Sequence, residues 1–203
     1  MSYCHMFFGL DLQRLKSIYG CKNEQLVAEI LKARSEDIEE NDEFFEEELE
    51  DGDFPNSKTA LREIVSGSIG KHEGADAMFG YVLKIICAHI GKQFGKEVAA
   101  VGVHPYVSQL TTSGPPIPIP YDKSDGPEIG FLRLSQITEE IRRIETAPKR
   151  AKRSLLLSVI NYLSRGQVGQ QMSDQDAVRD MADYRETLQE ALDKKLDIVA
   201  FRH

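Results

Sequence analysis

The longest nearly continuous apolar stretch of the chain runs from Glu73 to Gly95. Its hydrophobic residues fall on most sides of a helical wheel, and Lys84, His89 and Lys92 leave only one narrow polar strip. A helix with this distribution is normally surrounded by other elements of the fold. The polar residues inside it argue against a membrane span. We therefore predict that this stretch is the central core helix.

Shorter amphipathic patterns predict helices on both sides of this core helix. In each pattern, apolar residues recur at helical spacing, and most begin just after a residue that can cap a helix. The predicted helices are Leu12–Tyr19 with Asp11 as cap, Asn23–Arg34, a helix capped by Asn56 or Ser57, one from Ser135 to Pro148, Leu155–Leu163, and one that Ser173 starts, together with Asp176, in a capping-box-like pattern, with a stripe of Ala177, Met181, Tyr184, Leu188 and Ala191.

Runs of apolar and aromatic residues predict strands near both ends of the chain. They are Ser2–Phe8, closed by Gly9, and Leu196–Phe201, with Val98–Val103 between them and a further extended piece at Tyr106–Leu110. A strand at each end and a helix-rich middle predict a mostly helical α+β fold. In that fold the terminal strands and the central strand form a small sheet, covered by about six or seven helices.

The composition is typical of an ordinary soluble globular protein, with 41% hydrophobic and 29% charged residues. A single domain over residues 1–203 is expected, because a chain of this length can bury a full core. No signal-peptide pattern opens the chain, and its three cysteines lack metal or redox spacing. These features favour a reducing compartment, so we expect a cytoplasmic protein with no membrane partner.

Negative charge is concentrated in an acidic segment, residues 36–53. It holds twelve of the 33 acidic residues and no Lys or Arg, which leaves 25 basic against 21 acidic residues elsewhere. Like charges one turn apart weaken a helix, so we predict a helical but frayed stretch held by Phe44, Phe45 and Leu49. A block of one sign is typical of an interaction surface. The candidate partner-binding residues are Glu43, Glu46, Glu47, Glu50, Asp51 and Asp53.

A proline-rich loop, residues 113–130, is the second unusual segment. Its five prolines lack the N–H that a central strand needs and favour an extended path on which Ile117 and Ile119 dock. Long loops of this kind are often functional. A pocket beside the loop is one hypothesis, and the favoured alternative is that its polar groups satisfy loop backbone atoms. The pocket candidates are His104, Tyr106, Tyr121, Asp122 and Asp125.

No sequence motif assembles a catalytic or metal centre. The five histidines lack paired metal spacing, residues 67–71 lack the spacing of a phosphate-binding loop, and no nucleophile elbow occurs. Cys87 falls on the core helix, where a thiol is expected to be buried and inert. Cys4 and His5 are adjacent in a predicted strand and would point to opposite faces. We therefore expect no metal and no cofactor.

A basic run between Arg142 and Arg153 contrasts with the acidic segment. It has no interleaved aromatic residues or known binding motif, and the chain has a pI of about 5.2, so a nucleic-acid partner is not expected. Pairing with the acidic segment, within one molecule or across a homodimer, is an alternative to solvated helix ends.

Three segments of the chain resemble a known kind of protein. They are SYCHMFFGLDLQRLKSIYG at the start, GYVLKIICAHIG with GPPIPIPYDKSDGPEIGFL in the middle, and YRETLQEALDKKLDIVAF at the end. They resemble bacterial families of unknown function of about this length. More loosely, the two ends are similar to the YfbM-like α+β proteins, which begin with a short strand and close with a helix and a strand. The resemblance implies a fold and assigns no catalytic residues.

The functional hypothesis rests on the concentrated acidic segment and the lack of an assembled active site. We expect a non-catalytic binding protein that meets a basic protein partner, for example an immunity-type or regulatory protein that neutralises a basic enzyme such as a nuclease. The alternative is a hydrolase or transferase that acts on a small molecule beside the proline-rich loop. That alternative requires His104, Tyr121 and Asp122 to converge in space.

Overall fold

The computed structural model describes residues 3–52, 54–100, 110, 113–122, 126–146 and 174–202. Within these ranges four strands form one antiparallel sheet in the order β2-β1-β4-β3, and helices pack on both of its faces. The elements are β1 (Tyr3–Leu10), α1 (Leu12–Ile18), α2 (Glu24–Ala33), α3 (Ser35–Phe44), α4 (Glu46–Glu50), α5 (Ser57–Ser66), α6 (Asp76–Ile90), β2 (Lys92–Ala100), β3 (Glu128–Leu132), α7 (Leu134–Thr146), α8 (Asp174–Lys194) and β4 (Asp197–Arg202).

The predicted mostly helical α+β fold is confirmed. The two terminal strands pair antiparallel, with Phe7 of β1 opposite Ala200 of β4. The predicted central strand also joins them, because β2 pairs with the other edge of β1 and places Val98 opposite His5. Of the predicted strand Val98–Val103, the structure describes residues up to 100.

β3 and the start of β2 differ from the sequence prediction. β3 was missed, because its five residues begin directly after Pro127 inside the stretch predicted as a loop. β2 begins at Lys92, so residues predicted to close the core helix are already extended. In the sequence, Gly91 and Gly95 are typical of a fraying helix end. In the structure, the residues around Gly95 instead form a strand that pairs with β1.

Gly9 lies inside β1, and the prediction that it breaks the strand is wrong. The aromatic ring of Phe94, on β2, covers the glycine and takes the space of a side chain. A Cβ atom added at Gly9 would lie 2.0 Å from Cε2 of that ring. Gly9 is therefore needed for the close approach of Phe94 and not for a turn.

Replacing Gly9 with alanine is expected to lower the free energy of unfolding by about 1–3 kcal/mol, because the methyl group overpacks the site. Urea unfolding of the purified protein measures the change. Replacing the Phe94 ring with the smaller leucine side chain, in a Gly9→Ala, Phe94→Leu double variant, should recover part of the lost free energy of unfolding. A Gly9→Ala protein as stable as wild type would contradict this packing.

The sheet separates two hydrophobic cores, and α6 is the main element of the larger one. This core lies between α1, α2, α5, α6 and the sheet face that carries Phe8, Val199 and Phe201. The prediction of a central core helix is confirmed, since most side chains of α6 are buried. The buried residues of α6 are Ala77, Met78, Phe79, Gly80, Val82, Leu83, Ile85, Ile86 and Cys87.

The second core lies on the opposite sheet face, beneath α7 and α8. Phe7, Phe94 and Ile198 point into it from three strands. From the predicted stripe of α8, the last three residues are buried there. They are Tyr184, Leu188 and Ala191. The side chains of Ala177 and Met181 lie outside the described residues, as do the predicted helix 155–163 and basic residues 149–153. Leu110, predicted as extended, is helical.

Side-chain caps start three of the helices, and the predictions of Asp11 and of Asn56, one of two candidates for α5, are confirmed. Asp11 accepts hydrogen bonds from Gln13 N–H and Arg14 N–H, while Asn23 and Asn56 cap α2 and α5. Each cap satisfies a backbone donor that has no partner inside the helix.

The helix α7 starts at Leu134 and not after Ser135, because its cap comes from β4. Asp197, the first residue of β4, accepts the Leu134 N–H at 2.7 Å through Oδ1. Its Oδ2 atom accepts the Leu12 N–H at 2.9 Å. One carboxylate therefore ties the first residues of α1 and α7 to the sheet.

Candidate functional site

The acidic segment is fixed to the larger core by a few side chains along one side. Asn41 is buried and donates from Nδ2 to Ser57 Oγ at 2.7 Å and to Met78 Sδ at 3.2 Å. Asp42 accepts the Ser57 N–H at 2.7 Å, so it also satisfies a donor at the start of α5. The predicted helical conformation is confirmed for α3 and α4, and these contacts hold α3 against α5 and α6.

The start of α3 is tied to the end of α6 by Arg34. Its guanidinium donates to the Ala88 carbonyl in the last turn of α6, where a cation is favoured. The same side chain lies 3.6 Å from an oxygen of Asp37 in the first turn of α3. His89, in the same last turn of α6, has a lowered pKa, mainly because it is partly buried and secondly because the positive charge of Arg34 is near. Two helix ends with opposite dipole signs are thereby joined through one arginine.

Phe45 lies between α3 and α4, and its side chain packs in the larger core. Phe45 is 5% exposed, and its ring meets Tyr81 at 5.7 Å and Phe54 at 6.1 Å between centroids. Leu49 is half-buried on the same core. These residues hold the acidic segment as predicted.

Phe44 does not hold the acidic segment, and the prediction for this residue is wrong. It is 68% exposed, and it is the only large hydrophobic residue among those described that is exposed. Its ring still meets Phe45 edge-on at 4.9 Å and Tyr81 at 5.7 Å. Of two adjacent phenylalanines on a helical segment, only one can face the core, and here that one is Phe45.

The candidate partner-binding carboxylates lie close to Phe44 in the chain. Glu43 precedes Phe44, and Glu46, Glu47, Glu50 and Asp51 follow it; all five are exposed. Asp53 lies outside the described residues. We call the exposed side of α3 and α4, with Phe44 and these carboxylates, the acidic surface.

Within the described part of residues 36–53, Asp37 is the only carboxylate in an ion pair. Pairing with the basic run was the internal alternative. Arg142 and Arg143 instead pair with Glu139 and Glu140 on their own helix, at 3.3 Å and 2.5 Å. The remaining predicted bases, at 149–153, lie outside the described residues.

The proline-rich loop covers the free edge of β3. Ile117 and Ile119 are buried in the larger core, as predicted. Tyr121 accepts the Ile129 N–H at 2.9 Å, and Ser113 accepts the Phe131 N–H at 3.0 Å, both through side-chain hydroxyls. Side chains thus satisfy edge donors beside a loop whose prolines cannot continue the sheet.

The predicted pocket beside this loop stays a prediction. Of its five candidates the structure describes Tyr121 and Asp122, whereas His104, Tyr106 and Asp125 lie outside the described residues. Tyr121 is already engaged with the backbone of β3. Burial is the main cause that raises the pKa of this phenol, so it is a neutral hydrogen-bonding group in the folded protein.

A cleft of about 410 Å³ lies elsewhere, where α1 and α7 begin. Lys16 and Arg133 would favour an anion there, while the carboxylate of Asp197 is engaged by the two helix N–H groups. Sequence reasoning missed this cleft, because it joins residues more than a hundred positions apart. Its lining residues are Leu12, Gln13, Lys16, Arg133, Leu134, Ser135 and Asp197.

The two cysteines whose side chains the structure describes lie in different environments. Cys87 is buried, and burial raises the pKa of its thiol far above the usual range, so the thiol stays protonated as predicted. Cys21 is exposed.

The part of the chain covered by the structure contains no group of three His, Cys, Asp or Glu side chains suited to a metal ion. It also contains no helix both long and apolar enough to cross a bilayer.

The chain belongs to the family described as "Domain of unknown function (DUF7691)", whose model matches residues 1–203. The predicted resemblance to a family of unknown function is thereby confirmed, whereas its bacterial and YfbM-like parts stay predictions. No curated protein and no solved structure matches the chain.

Proposed function

We propose that this DUF7691 protein is a non-catalytic cytoplasmic binding protein whose acidic surface receives a basic protein partner. A regulatory or immunity-type protein that neutralises a basic enzyme, such as a nuclease, is the concrete form of this proposal. The observation that carries it is the exposed Phe44 ring among exposed carboxylates that have no ion pair within the described residues. Aromatic side chains are enriched at the centres of protein interfaces.

Exposed like charges are crowded along the acidic surface, which supports a role in binding. Glu43 lies in the last turn of α3, where the helix dipole is negative and no basic residue is present in that turn. The next helix adds Glu46, Glu47 and Glu48 within one turn. Like charges this close repel one another, since the screening length is about 8 Å at physiological salt. A cationic partner would relieve this repulsion and would be steered to the surface by it.

Charge reversal at Glu46, Glu47 and Glu50 is expected to abolish capture of the basic partner and to leave the fold intact. All three side chains are exposed, so the Glu46→Lys, Glu47→Lys, Glu50→Lys variant should melt within a few degrees of wild type. Thermal unfolding checks the fold. A pull-down from the native host at low salt, with wild type and variant as baits, checks the binding.

The matched control reverses Glu29, Glu73 and Glu186, which are exposed on other elements. It changes the formal net charge from −8 by the same amount as the first variant, and it should retain the partner. Global unfolding of the first variant would show that its carboxylates are paired inside the molecule. Equal loss of partner from both variants would show that net charge, and not the acidic surface, determines capture. Either result would overturn the proposal.

A further inference from the structure

We propose that Phe44 and Tyr81 form a platform on which the basic partner lays an arginine side chain. This inference rests on the proposed function, because the platform lies within the acidic surface. It goes further by naming the chemical group that the surface recognises, a guanidinium, and the ring on which that group stacks, Phe44, which packs against Tyr81.

The platform is fixed from behind by the larger core. Phe44 meets the buried ring of Phe45 edge-on, with centroids 4.9 Å apart and planes at 89°. The centroid of the Tyr81 ring lies 5.7 Å from those of both phenylalanines, and Tyr81 belongs to α6, most of whose side chains are buried. Aromatic rings held by such contacts lose little conformational entropy when a partner binds. The 68% exposure of Phe44 leaves much of its ring open to solvent.

A cation already lies over one ring of this platform. The Nζ atom of Lys84 is 5.0 Å from the centroid of Tyr81, within the range of a cation–π interaction. Burial raises the pKa of the Tyr81 phenol, so the ring stays neutral and its face stays attractive to a cation by its quadrupole alone. Phe44 presents the same type of ring on the solvent side. The chain therefore shows at Tyr81 the contact that we assign to a partner at Phe44.

The neighbouring carboxylates decide which kind of side chain fits Phe44. Glu43, Glu46 and Glu47 are exposed and lie within three positions of Phe44 in the chain. An aliphatic partner side chain on Phe44 would remove water from nearby carboxylates without supplying a charge, which is costly. A guanidinium stacks flat on an aromatic ring and offers several N–H donors to carboxylates at its edge. A lysine ammonium is more strongly hydrated and lacks the planar fork. Arginine thus satisfies both the ring and the carboxylates.

Two synthetic peptides of about 12 residues, too short to form a stable helix, provide the test. One alternates arginine with alanine and the other alternates lysine with alanine, so their charges are equal. Fluorescence anisotropy measures the affinity of each for the full-length protein. Wild type is expected to bind the arginine peptide about two- to fivefold more tightly than the lysine peptide.

Phe44 variants then test the platform itself. Phe44→Ala and Phe44→Leu should both remove the preference for arginine, because leucine restores apolar area but has no ring. Phe44→Trp should increase the preference, since indole binds cations best. Thermal unfolding confirms that each variant is folded, and the exposed position makes the leucine and tryptophan variants well tolerated.

The outcomes separate this inference from the function on which it rests. An arginine preference unchanged by Phe44→Ala and Phe44→Leu would overturn the platform. If the charge-reversed variant still lost both peptides, the acidic surface would remain a binding site for basic partners. Failure of wild type to bind either peptide would overturn the platform together with the proposed charge recognition.

Discussion

Replacing Asp197 with alanine is expected to lower the free energy of unfolding by about 2–4 kcal/mol. The carboxylate accepts the first N–H of α1 through Oδ2 and the first N–H of α7 through Oδ1, and both contacts are partly buried. Alanine leaves both donors without a partner and also removes the connection between the two helices and β4. Urea unfolding, followed by circular dichroism, measures the loss.

Two further variants separate the double role of Asp197 from an ordinary helix cap. Asp197→Asn keeps one acceptor oxygen but turns an NH2 group towards the second backbone donor, so about half of the loss should remain. Asp11→Ala removes an exposed cap from α1 alone and should cost about 0.5–2 kcal/mol. An Asp197→Ala protein no less stable than Asp11→Ala would contradict the double cap.

Replacing Ile86 with alanine should destabilise the protein by about 2–5 kcal/mol. Ile86 has no exposed surface and lies on the helix that the larger core surrounds. The substitution removes three methyl or methylene groups and leaves a cavity that a close-packed interior closes only in part. Equilibrium unfolding in urea gives the change in free energy directly.

A graded substitution provides the control for Ile86. Ile86→Val removes one methylene group and should cost about 0.5–1.5 kcal/mol, so the two variants should fall in order of the volume removed. Melting midpoints close to wild type for both variants would show that α6 is not the element around which the fold is built.

Local patterns were sufficient to predict the elements whose signals are contained within them. The apolar wheel of α6, the caps Asp11 and Asn56, and the start of α2 near Asn23 each depend on residues a few positions apart, and all are observed. The pairing of β1 with β4 followed from their position at the two ends of a helix-rich chain. These features depend on helix periodicity and on backbone donors that a neighbouring side chain satisfies.

Unlike the pairing of the two terminal strands, individual side-chain contacts between residues distant in sequence could not be predicted. Gly9 reads locally as a strand end, and only the ring of Phe94 across the sheet explains why it continues the strand. Asp197 caps a helix that begins 185 positions earlier. β3 is short and follows a proline, so its pairing with β4 and its covered edge become visible only in three dimensions.

The candidate site shows the same division between local and distant information. All charged residues between positions 36 and 53 are acidic, and this composition alone was enough to predict an exposed helical segment there, which the structure shows. The choice between Phe44 and Phe45 was not available from the sequence, because it depends on where α3 ends and α4 begins. Tyr121 was predicted beside a functional loop, and the structure engages it with a backbone donor of β3.

The most direct test of recognition by the acidic surface is the salt dependence of partner capture. The wild-type protein serves as bait in extracts of its native host, once at about 50 mM and once at about 500 mM salt, concentrations between which exposed charges become strongly screened. If the acidic surface binds a basic partner, a basic protein is enriched at low salt and released at high salt. Failure to enrich any basic protein at low salt, or an enrichment that high salt leaves unchanged, would contradict it.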